Sequence, residues 1–237
     1  MDQPWSSAGL TDNHLLAALP ARDRGRLARL LEPVPLRLHE VLYRPGDALA
    51  AVYFPTGGVL SARMPTPEGR SLEVGVIGRE GLAGWRLATG SVTTPLLTVV
   101  QSPGAALRLS AAAFRAELGR RGALYRLLLR YSDVFLHMML HLAVCGYYHS
   151  LAHRCCCRLL LTCDRVSTDQ LPFTQESLAR VLGVRRTSVS ATARGLQQDG
   201  LIRCRRGRVH VLDRAGLEAA SCPCYRALRE KFDGLWA

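Results

Sequence analysis

The sequence predicts an α+β fold in three parts: an N-terminal antiparallel β-roll or jelly roll, a long helix, and a C-terminal winged helix-turn-helix. Three observations support this prediction. Short β-prone segments alternate with Gly- and Pro-containing turns in the first half of the chain. Residues 123–148 contain no Pro, and residues 173–212 combine a helix–Gly–helix pattern with two further β-prone runs. The predicted domain divisions are 1–120, 121–149 and 150–237.

The N-terminal part begins with two predicted helical segments, Asn13–Leu19 and Arg22–Leu31, and continues as strands. Strands that recur about every 8–12 residues between Gly and Pro turns are typical of an antiparallel sandwich or barrel. The predicted strands are Val41–Arg44, Ala51–Phe54, Val59–Met64, Ser71–Ile77, Val92–Val100 and Ala105–Leu109.

A long helix is predicted over Ala123–Tyr148, after a short helix that Ser110 caps and a break at Gly119–Gly122. Seven apolar side chains alternate spacings of four and three along it, which is the a/d pattern of a coiled coil. We expect this face to pair with a second copy of the chain, although a helix packed onto its own domain would also carry an apolar stripe. The seven residues are Leu124, Leu128, Tyr131, Phe135, Met138, Leu142 and Cys145.

The helix-turn-helix is predicted within residues 173–198. Thr174 is a good N-cap for a first helix, and Gly183 ends that helix at a turn that favours positive φ. In the second helix, Val189 and Leu196 are expected to face inward. Its outward positions carry the Arg, Ser and Thr side chains that a helix in a DNA major groove needs: Arg185, Arg186, Thr187, Ser190 and Arg194.

Two short β-prone runs, 201–204 and 209–212, follow the second helix and are predicted to form a wing. Arg205, Arg206, Gly207 and Arg208 lie at the predicted hairpin tip. Between Arg180 and Arg208 there are eight Arg and one acidic residue, a balance of +7. Since a solvated charged surface would explain neither this concentration nor its place, the pattern favours DNA binding.

Composition sets wider limits. The 237 residues are 48% hydrophobic, enough for a core, and a net charge of +12 favours an anionic partner. We expect no signal peptide, because Asp2 stands where a positive segment would begin. We also expect no run near the ~18 apolar residues that a membrane span needs. The predicted location is therefore the cytoplasm.

The eight cysteines are expected to be free thiols in a reducing cytosol, packed as small hydrophobic residues. Cys222-Pro223-Cys224 is too tight for a zinc finger and lacks a second pair at matching distance. His149, His153 and Cys157 have a four-residue spacing, but a helix start at Ser150 would interrupt their face. We therefore predict no metal site and no cofactor, and keep a metal- or thiol-sensing role of residues 145–163 as an alternative.

No catalytic residues are predicted. The sequence contains no Gly-rich phosphate loop and no nucleophile elbow, and no His/Asp pair stands at a recognisable spacing from a nucleophile. We therefore do not expect an enzyme.

A β-rich domain, a long helix and a C-terminal winged helix, in this order, resemble the Crp/Fnr superfamily of bacterial transcription regulators. The resemblance covers nearly the whole chain and is most specific over 171–212. It implies a cyclic-nucleotide-binding-like sensor domain at 1–120, a dimerisation helix at 121–149 and a DNA-binding domain with a helical tail at 150–237. The implied partners are double-stranded DNA at a pseudo-palindromic site, a second copy of the chain, RNA polymerase and a small-molecule effector, with no membrane.

Alignment of the family's turn glycine with Gly183 implies a role for each outward position of the second helix. Arg186 falls at a base-reading Arg, and Thr187 and Ala191 fall at the other base-reading positions. Ala191 has no hydrogen-bonding group and Thr187 replaces an acidic residue, so we expect a half-site unlike the archetype's. The full predicted DNA-binding set is Thr174, Gln175, Arg185, Arg186, Thr187, Ser188, Ser190, Ala191, Arg194, Arg205, Arg206 and Arg208.

The sensor domain departs from the family pattern. Cyclic-nucleotide-binding members use a Gly-Glu pair and an Arg-Ser pair, but Trp85 replaces the Glu and no Arg lies at 91–95. Without that guanidinium a cyclic phosphate loses its best charge-assisted contact, so we do not expect cyclic AMP binding. No Cys precedes Cys145, which excludes the usual iron–sulfur cluster, and only His14 and His39 could hold a haem. The candidate effector pocket is Gly81, Leu82, Gly84, Trp85, Thr93 and Thr94.

Overall fold

The computed structural model describes residues 8–166 and 168–236. These residues form two compact units. The N-terminal unit comprises the residues up to Ser61 together with Ile77–Asp133, and the C-terminal unit comprises Ala62–Val76 and the chain from Val134 onward. A segment from the strand-rich first half of the sequence therefore belongs to the C-terminal unit. The three-domain division at residues 120 and 149 stays a prediction.

The strands of the first half form two sheets, with the orders β1-β7-β3 and β2-β6-β4-β5. Strand β7 pairs antiparallel with both β1 and β3, and β2 pairs antiparallel with β6. The prediction of a strand-rich, antiparallel first half is therefore confirmed. The strands are β1 (Glu32–Leu36), β2 (Val41–Tyr43), β3 (Ala51–Pro55), β4 (Val59–Pro65), β5 (Ser71–Ile77), β6 (Leu97–Ser102) and β7 (Gly104–Ser110).

Strand β1 was not predicted, because it carries Pro33 and Pro35. It lies at the edge of its sheet and pairs only with β7. Proline lacks the N–H that an inner strand must donate, but an edge strand has one side free of partners and tolerates it. Pairing with β7, supported by the Glu32–Arg108 ion pair at 2.8 Å, outweighs the low strand propensity.

The prediction of a strand over Val92–Val100 was wrong in its first half, because β6 begins only at Leu97. The preceding residues pair instead with the turn after β2. The Gly46 amide donates to the Thr94 carbonyl at 2.7 Å, and the Leu49 amide donates to the Val92 carbonyl at 2.9 Å. The backbone groups before Leu97 thus form hydrogen bonds with that turn, and they do not extend the β6 strand.

Four helices accompany the strands of the first half. Asn13 caps one of them: its Oδ1 accepts from the Leu16 amide, and its Nδ2 donates to the carbonyls of Pro55 and Gly81 at 3.0 and 2.9 Å. The buried Asn13 thereby fixes this helix to two loops of the roll. The helices are α1 (Ala8–Thr11), α2 (His14–Ala17), α3 (Ala21–Ala28) and α4 (Ala111–Gly119), the last capped by Ser110 as predicted.

Helix α5 (Ala123–Tyr148) has the predicted bounds. Contrary to the sequence expectation, it is long and apolar enough to cross a membrane: its most apolar stretch has a mean hydropathy of 1.3 and is 28% buried. The long core helix of a globular protein can have the same length and hydropathy. Helix α5 differs in burial, because much of its apolar surface is uncovered within the chain.

The second half of the chain has the predicted order of helices, wing and helical tail. The two-residue strand β8 was not predicted, and it completes a sheet of order β8-β10-β9. The elements are α6 (Leu151–Cys163), β8 (Gln170–Leu171), α7 (Gln175–Leu182), α8 (Arg186–Gln198), β9 (Ile202–Arg205), β10 (Arg208–Val211), α9 (Arg214–Ala219) and α10 (Pro223–Asp233).

A buried ion pair lies inside the C-terminal unit. Glu73 on β5 contacts the Arg158 guanidinium on α6 through both carboxylate oxygens, with the Nη2 to Oε2 distance at 2.9 Å. The Arg158 Nη1 donates to the Thr162 hydroxyl at 2.5 Å, and the guanidinium lies 5.3 Å from the Phe173 ring centroid. Both charged side chains are 3% exposed or less. This pair fixes the β4–β5 hairpin to the helices of the unit.

Candidate nucleic-acid interface

The first helix of the helix-turn-helix begins where its cap predicts. The Thr174 hydroxyl accepts from the Ser177 amide at 2.9 Å, and the Ser177 hydroxyl accepts from the Thr174 amide at 2.9 Å, which together form a capping box. Leu178, Val181 and Leu182 are buried on the inner face. The predicted N-cap of α7 is thus confirmed.

The turn between the two helices depends on Gly183, which ends α7 in the left-handed region at φ 66° and ψ 34°. A Cβ at this position would lie 3.0 Å from Leu72 Cδ1 in addition to the cost of that backbone conformation. Arg154 on α6 donates to the Leu182 carbonyl at 2.5 Å and so satisfies one of the last carbonyls of α7.

Helix α8 presents one apolar face inward and one polar face outward. Arg185 is its extended N-cap, and Val189, Ala193 and Leu196 are buried. The inward positions predicted from the sequence are therefore confirmed. Six of the candidate DNA-binding residues on or next to this helix are exposed: Arg185, Arg186, Thr187, Ser188, Ala191 and Arg194.

Two candidate DNA-binding residues, Gln175 and Ser190, bond to one another. The Ser190 hydroxyl lies 2.6 Å from Gln175 Oε1 and 3.0 Å from the Arg186 carbonyl, and both side chains are half-buried. This bond joins the N-terminal turn of α7 to the middle of α8. It holds the two helices at a fixed spacing, a role that the sequence did not reveal.

The wing is a two-residue hairpin. Its strands β9 and β10 pair antiparallel, and Arg205 lies opposite Arg208 in the ladder. Arg206 and Gly207 form the turn with φ 48° and 74°, the positive pair that a type I′ turn requires. The predicted tip of four residues is therefore shorter, and the predicted strands 201–204 and 209–212 shift to 202–205 and 208–211. Leu212, placed in a strand by sequence, is 50% exposed.

The wing is fixed to α8 by a contact that sequence reasoning missed. The Cys204 amide donates to Gln197 Oε1 at 2.8 Å, so the last turn of α8 is bonded directly to β9. Gln197 carries no sequence signal for this role, because the contact depends on the tertiary path of the wing. The three exposed wing arginines, Arg205, Arg206 and Arg208, thus extend from a sheet tied to the exposed helix.

The β4–β5 hairpin also reaches this surface within the C-terminal unit. A cavity of about 630 Å³ is lined by Gly69, Arg70 and Ser71 of the hairpin and by Arg185 and Arg186 at the start of α8. Sequence reasoning did not connect Arg70 with the helix-turn-helix. The cluster of arginines at this end of α8 is therefore larger than predicted.

The six candidate effector residues lie in the N-terminal unit in contrasting environments. Gly81 and Leu82 are buried beneath Tyr131, whose Oη would lie 2.2 Å from a Cβ at Gly81. Gly84 and Trp85 are half-buried at the start of a short 3₁₀ helix, Trp85–Thr89. Thr93 is exposed, and Thr94 is buried with its hydroxyl accepting from the Leu96 amide at 3.1 Å.

Arg86 carries the guanidinium that the sequence lacks at 91–95. Its Nη2 donates to the Ser91 hydroxyl at 3.2 Å, and the Ser91 amide donates to the Arg86 carbonyl at 3.1 Å. Its Nε is buried without a hydrogen-bond partner among the described residues. An Arg beside a Ser therefore exists in this unit, although it comes from the 3₁₀ helix rather than from the later loop.

The predicted dimer seam lies against its own chain, which corrects the assignment of this face to a partner. Leu124, Leu128, Tyr131, Phe135, Met138 and Cys145 are 4% exposed or less, and Leu142 is half-buried. Two glycines make room for the rings. Tyr131 packs on Gly81, and Phe135 packs on Gly75, where a Cβ would lie 2.5 Å from the Phe135 Cζ. These side chains are therefore covered within the chain itself.

The cysteines are all unpaired, and seven of the eight are buried. Burial raises the pKa of Cys155 to about 12, as expected of a small hydrophobic core residue. Cys222 differs, because hydrogen bonds from the thiols of Cys145 and Cys157 lower its pKa. His149, His153 and Cys157 do not lie on one continuous helix, since α5 ends at Tyr148 and α6 begins at Leu151, although the His149 and His153 ring centroids are 6.4 Å apart.

Comparison with known proteins gives a family match for the C-terminal region. Residues 153–220 match the Crp-like helix-turn-helix domain. Curated protein sequences gave no match.

Solved structures match over most of the chain. FixK2 from Bradyrhizobium japonicum has a TM-score of 0.70 at 13% identity, over 81% of this chain and 98% of its own. A regulator assigned to the Crp/Fnr family from Eubacterium rectale has a TM-score of 0.69 at 16% identity, over 89% and 98%. The c-di-GMP-responsive global regulator CLP from Xanthomonas campestris has 0.64 at 19%, over 82% and 100%.

The winged helix-turn-helix with its exposed arginines defines the class of the C-terminal region, a DNA-binding domain. Within that class, residues 153–220 match the Crp-like helix-turn-helix domain, and more than four fifths of the chain shares the fold of solved Crp/Fnr-type regulators.

Proposed function

We propose that the protein is a homodimeric, cytoplasmic regulator that binds a pseudo-palindromic DNA site without cyclic AMP. The observation that carries the proposal is the exposed face of α8, with Arg185 and Arg186 at its start and a basic wing fixed beside it. The proposal assigns the chain no catalytic reaction. RNA polymerase is the protein partner that a DNA-bound regulator of this type would contact.

Arg186 is the residue proposed to read sequence. It is exposed in the first turn of α8, where the helix enters the major groove in this class of motif. A guanidinium there can donate two hydrogen bonds to the O6 and N7 acceptors of a guanine. Thr187 and Ala191 are exposed on the same helix and offer a hydroxyl and a methyl group to neighbouring base edges.

Phosphate contact is proposed for the other exposed arginines. Arg185 and Arg194 flank the reading positions on α8, and Arg205, Arg206 and Arg208 belong to the wing. Neutralised phosphates release counterions, so each such arginine adds about 0.9 to the slope of log affinity against log salt. Ser188 and Thr174 are exposed hydroxyl donors at the start of each helix and complete the proposed set.

A second apolar face of α5 supports the homodimer. Leu129, Leu136, Leu140, Val144 and Tyr147 repeat at spacings of seven, four, four and three, and they are between 46 and 83% exposed. An apolar stripe of this size on one helix is unusual in a monomer and is typical of an interface. Pairing of two α5 helices through these side chains would bring together two copies of α8, as a pseudo-palindrome requires.

Independence from cyclic AMP is supported by the effector region. Trp85 occupies the place of the ribose-binding Glu, and Leu82 beside it is completely buried. Arg86 is already bonded to Ser91.

DNA binding is tested with Arg186→Ala and Arg206→Ala, measured by fluorescence anisotropy on a selected site and on random duplex. Arg186→Ala should cost about 1–3 kcal/mol on the selected site and relax specificity at one base position. Arg206→Ala should weaken both duplexes alike and reduce the salt slope by about one.

Arg115→Ala is the matched control, since it removes the same charge from an exposed position on α4. It should leave both affinities within about twofold of the parent protein. Equal losses for Arg186→Ala on the selected and random duplexes would show that α8 does not read bases.

A second candidate function is sensing of a metal or of thiol oxidation through the cysteines. The sequence alternative placed this role at residues 145–163. The observation that favours it is the approach of the Cys145 and Cys222 sulfurs to 3.4 Å. Purified protein whose DNA affinity changes with added Zn²⁺, or with oxidation that a reductant reverses, would support this role. Unchanged affinity under both treatments would exclude it.

A further inference from the structure

Cysteines from three separate segments are buried inside the C-terminal unit. Cys145 lies near the end of α5, Cys157 lies in the middle of α6, and Cys222 and Cys224 lie at the start of α10. Their exposed fractions are 4, 1, 1 and 6%. Among the described residues the close group is Cys145, Cys222 and Cys224; Cys157 and the other buried cysteines of α6, Cys155, Cys156 and Cys163, lie outside it.

The sulfur atoms of Cys145, Cys222 and Cys224 all lie within 4.8 Å of one another, and the shortest described separation, between Cys145 and Cys222, is 3.4 Å. In a tetrahedral zinc site with Zn–S bonds of about 2.3 Å, the sulfurs lie about 3.8 Å apart. The 3.4 Å separation is close to that value, and the other two separations are no longer than 4.8 Å.

We propose that Cys145, Cys222 and Cys224 bind a Zn²⁺ ion as three thiolate ligands. Thiolate ligands select Zn²⁺ over the hard cations Mg²⁺ and Ca²⁺, which prefer oxygen. The protons of the three thiols pass to solvent as the Zn–S bonds form. A disulfide would join only two of these sulfurs and would need them at about 2.05 Å.

The surroundings fit an ion site. Cys222 is the N-cap of α10, where the partial positive charge of the helix start stabilises a nearby thiolate. The Nδ1 of His141, one turn before Cys145 on α5, is buried with no hydrogen-bond partner in the described residues.

Two cavities border the cluster. Cys145 and Cys157 line a cavity of about 460 Å³, and Cys222 lines another of about 380 Å³ that Glu218 also lines. Once bound, the ion links Cys145 to Cys222 across 77 positions of sequence, a span that contains the entire winged helix-turn-helix. The ion would therefore cross-link the two ends of the segment that contains the winged helix-turn-helix.

The test uses the full-length protein, purified in a reducing buffer, incubated with Zn²⁺ or Co²⁺ and desalted. Elemental analysis should find one Zn²⁺ per chain, and Co²⁺ should produce an intense near-ultraviolet sulfur-to-cobalt charge-transfer band with tetrahedral d–d bands. Zn²⁺ should also raise the melting temperature, because the ion binds only the folded unit. This proposal does not require DNA binding, so it stands or fails separately from the proposed function.

Two variants and a matched control locate the site. Cys222→Ser and Cys224→Ser should each weaken Zn²⁺ binding by on the order of tenfold or more and reduce the charge-transfer band. Cys155→Ser changes an equally buried cysteine outside the cluster and should bind Zn²⁺ like the parent protein. Circular dichroism checks that each variant is folded.

Three results would overturn the proposal. The first is a parent protein that binds no stoichiometric Zn²⁺ and whose Co²⁺ spectrum lacks the sulfur charge-transfer band. The second is a Cys155→Ser variant whose Zn²⁺ binding is weakened as much as that of Cys224→Ser. A Cys145–Cys222 disulfide in protein kept under reductant, found by mass spectrometry of unreduced peptides, would also exclude the ion. The first result needs no variant, so the test remains decisive even if a cysteine substitution unfolds the unit.

Discussion

Removal of Glu73 should destabilise the C-terminal unit strongly, although Glu73 lies far from the helix-turn-helix in sequence. Its carboxylate is the charge partner of Arg158, and both side chains are 3% exposed or less. In Glu73→Ala the Arg158 guanidinium would stay buried without this carboxylate. The contacts described above that would remain are those with the Thr162 hydroxyl and the Phe173 ring. Loss of one partner from a buried pair costs about 3–5 kcal/mol.

Hydrogen–deuterium exchange measures this loss within the unit itself. Amides of α6 that exchange only by unfolding of the unit should exchange roughly 100 to 5,000 times faster in Glu73→Ala, since each 1.4 kcal/mol is about tenfold. The control is Glu176→Ala, which breaks the exposed Glu176–Arg180 pair at 3.8 Å and should cost less than about 0.5 kcal/mol.

A double-mutant cycle separates the ion pair from general damage. Arg158→Met alone should be as destabilising as Glu73→Ala, because it leaves the carboxylate buried. Glu73→Leu combined with Arg158→Met replaces both charges by apolar groups and should cost less than about 1 kcal/mol. Additive losses, or a loss below about 1 kcal/mol for Glu73→Ala, would refute the reasoning that this pair fixes the hairpin to the unit.

Three further predictions concern the turn, the wing and the second apolar face. Gly183→Ala should lower the free energy of unfolding by about 1–2 kcal/mol, because only glycine takes its backbone conformation without cost, and a melting temperature equal to that of the parent would contradict this. Gln197→Leu leaves the Cys204 amide unbonded and should cost about 1–3 kcal/mol and weaken binding of all DNA duplexes; unchanged stability by urea denaturation would show that the contact is dispensable. Leu140→Lys should weaken self-association at least about tenfold in analytical ultracentrifugation, while Leu38→Lys, at an exposed leucine of the N-terminal unit, should not; equal effects would refute the α5 interface.

The sequence predicted best what local chemistry determines. Helix α5 has its predicted bounds because a Pro-free segment follows a Gly break, and the cap at Thr174 marks the start of α7 because the capping box is local. The α7–turn–α8 path follows from Gly183 and from the buried Val189 and Leu196. These features depend on residues a few positions apart, which a sequence displays directly.

Features that depend on distant contacts were missed or misplaced. Strand β1 with its two prolines exists only because β7 pairs with it. The apolar seam of α5 was assigned to a partner because periodicity identifies an apolar face without showing what covers it. Gly75 and Gly81, which receive the rings of that seam, carry no such signal in sequence.

The cysteine cluster shows the same limit. Cys222-Pro223-Cys224 does not predict a metal site by spacing, because no second pair stands at a matching distance. Its companion Cys145 is 77 positions away and is brought close only by the tertiary fold. Spacing rules for metal sites describe ligands on neighbouring loops, so a site assembled from separate helices escapes them.

Sequence-specific DNA binding through α8 is tested by selection of bound sequences from a random double-stranded DNA pool, with the full-length protein and no added ligand. We expect enrichment of two inverted half-sites whose centres lie one helical turn apart, with a conserved guanine that is lost in the Arg186→Ala selection. A pool that shows no enriched sequence, or a single unpaired half-site that Arg186→Ala leaves unchanged, would contradict the proposal of a ligand-independent dimer that reads DNA through α8.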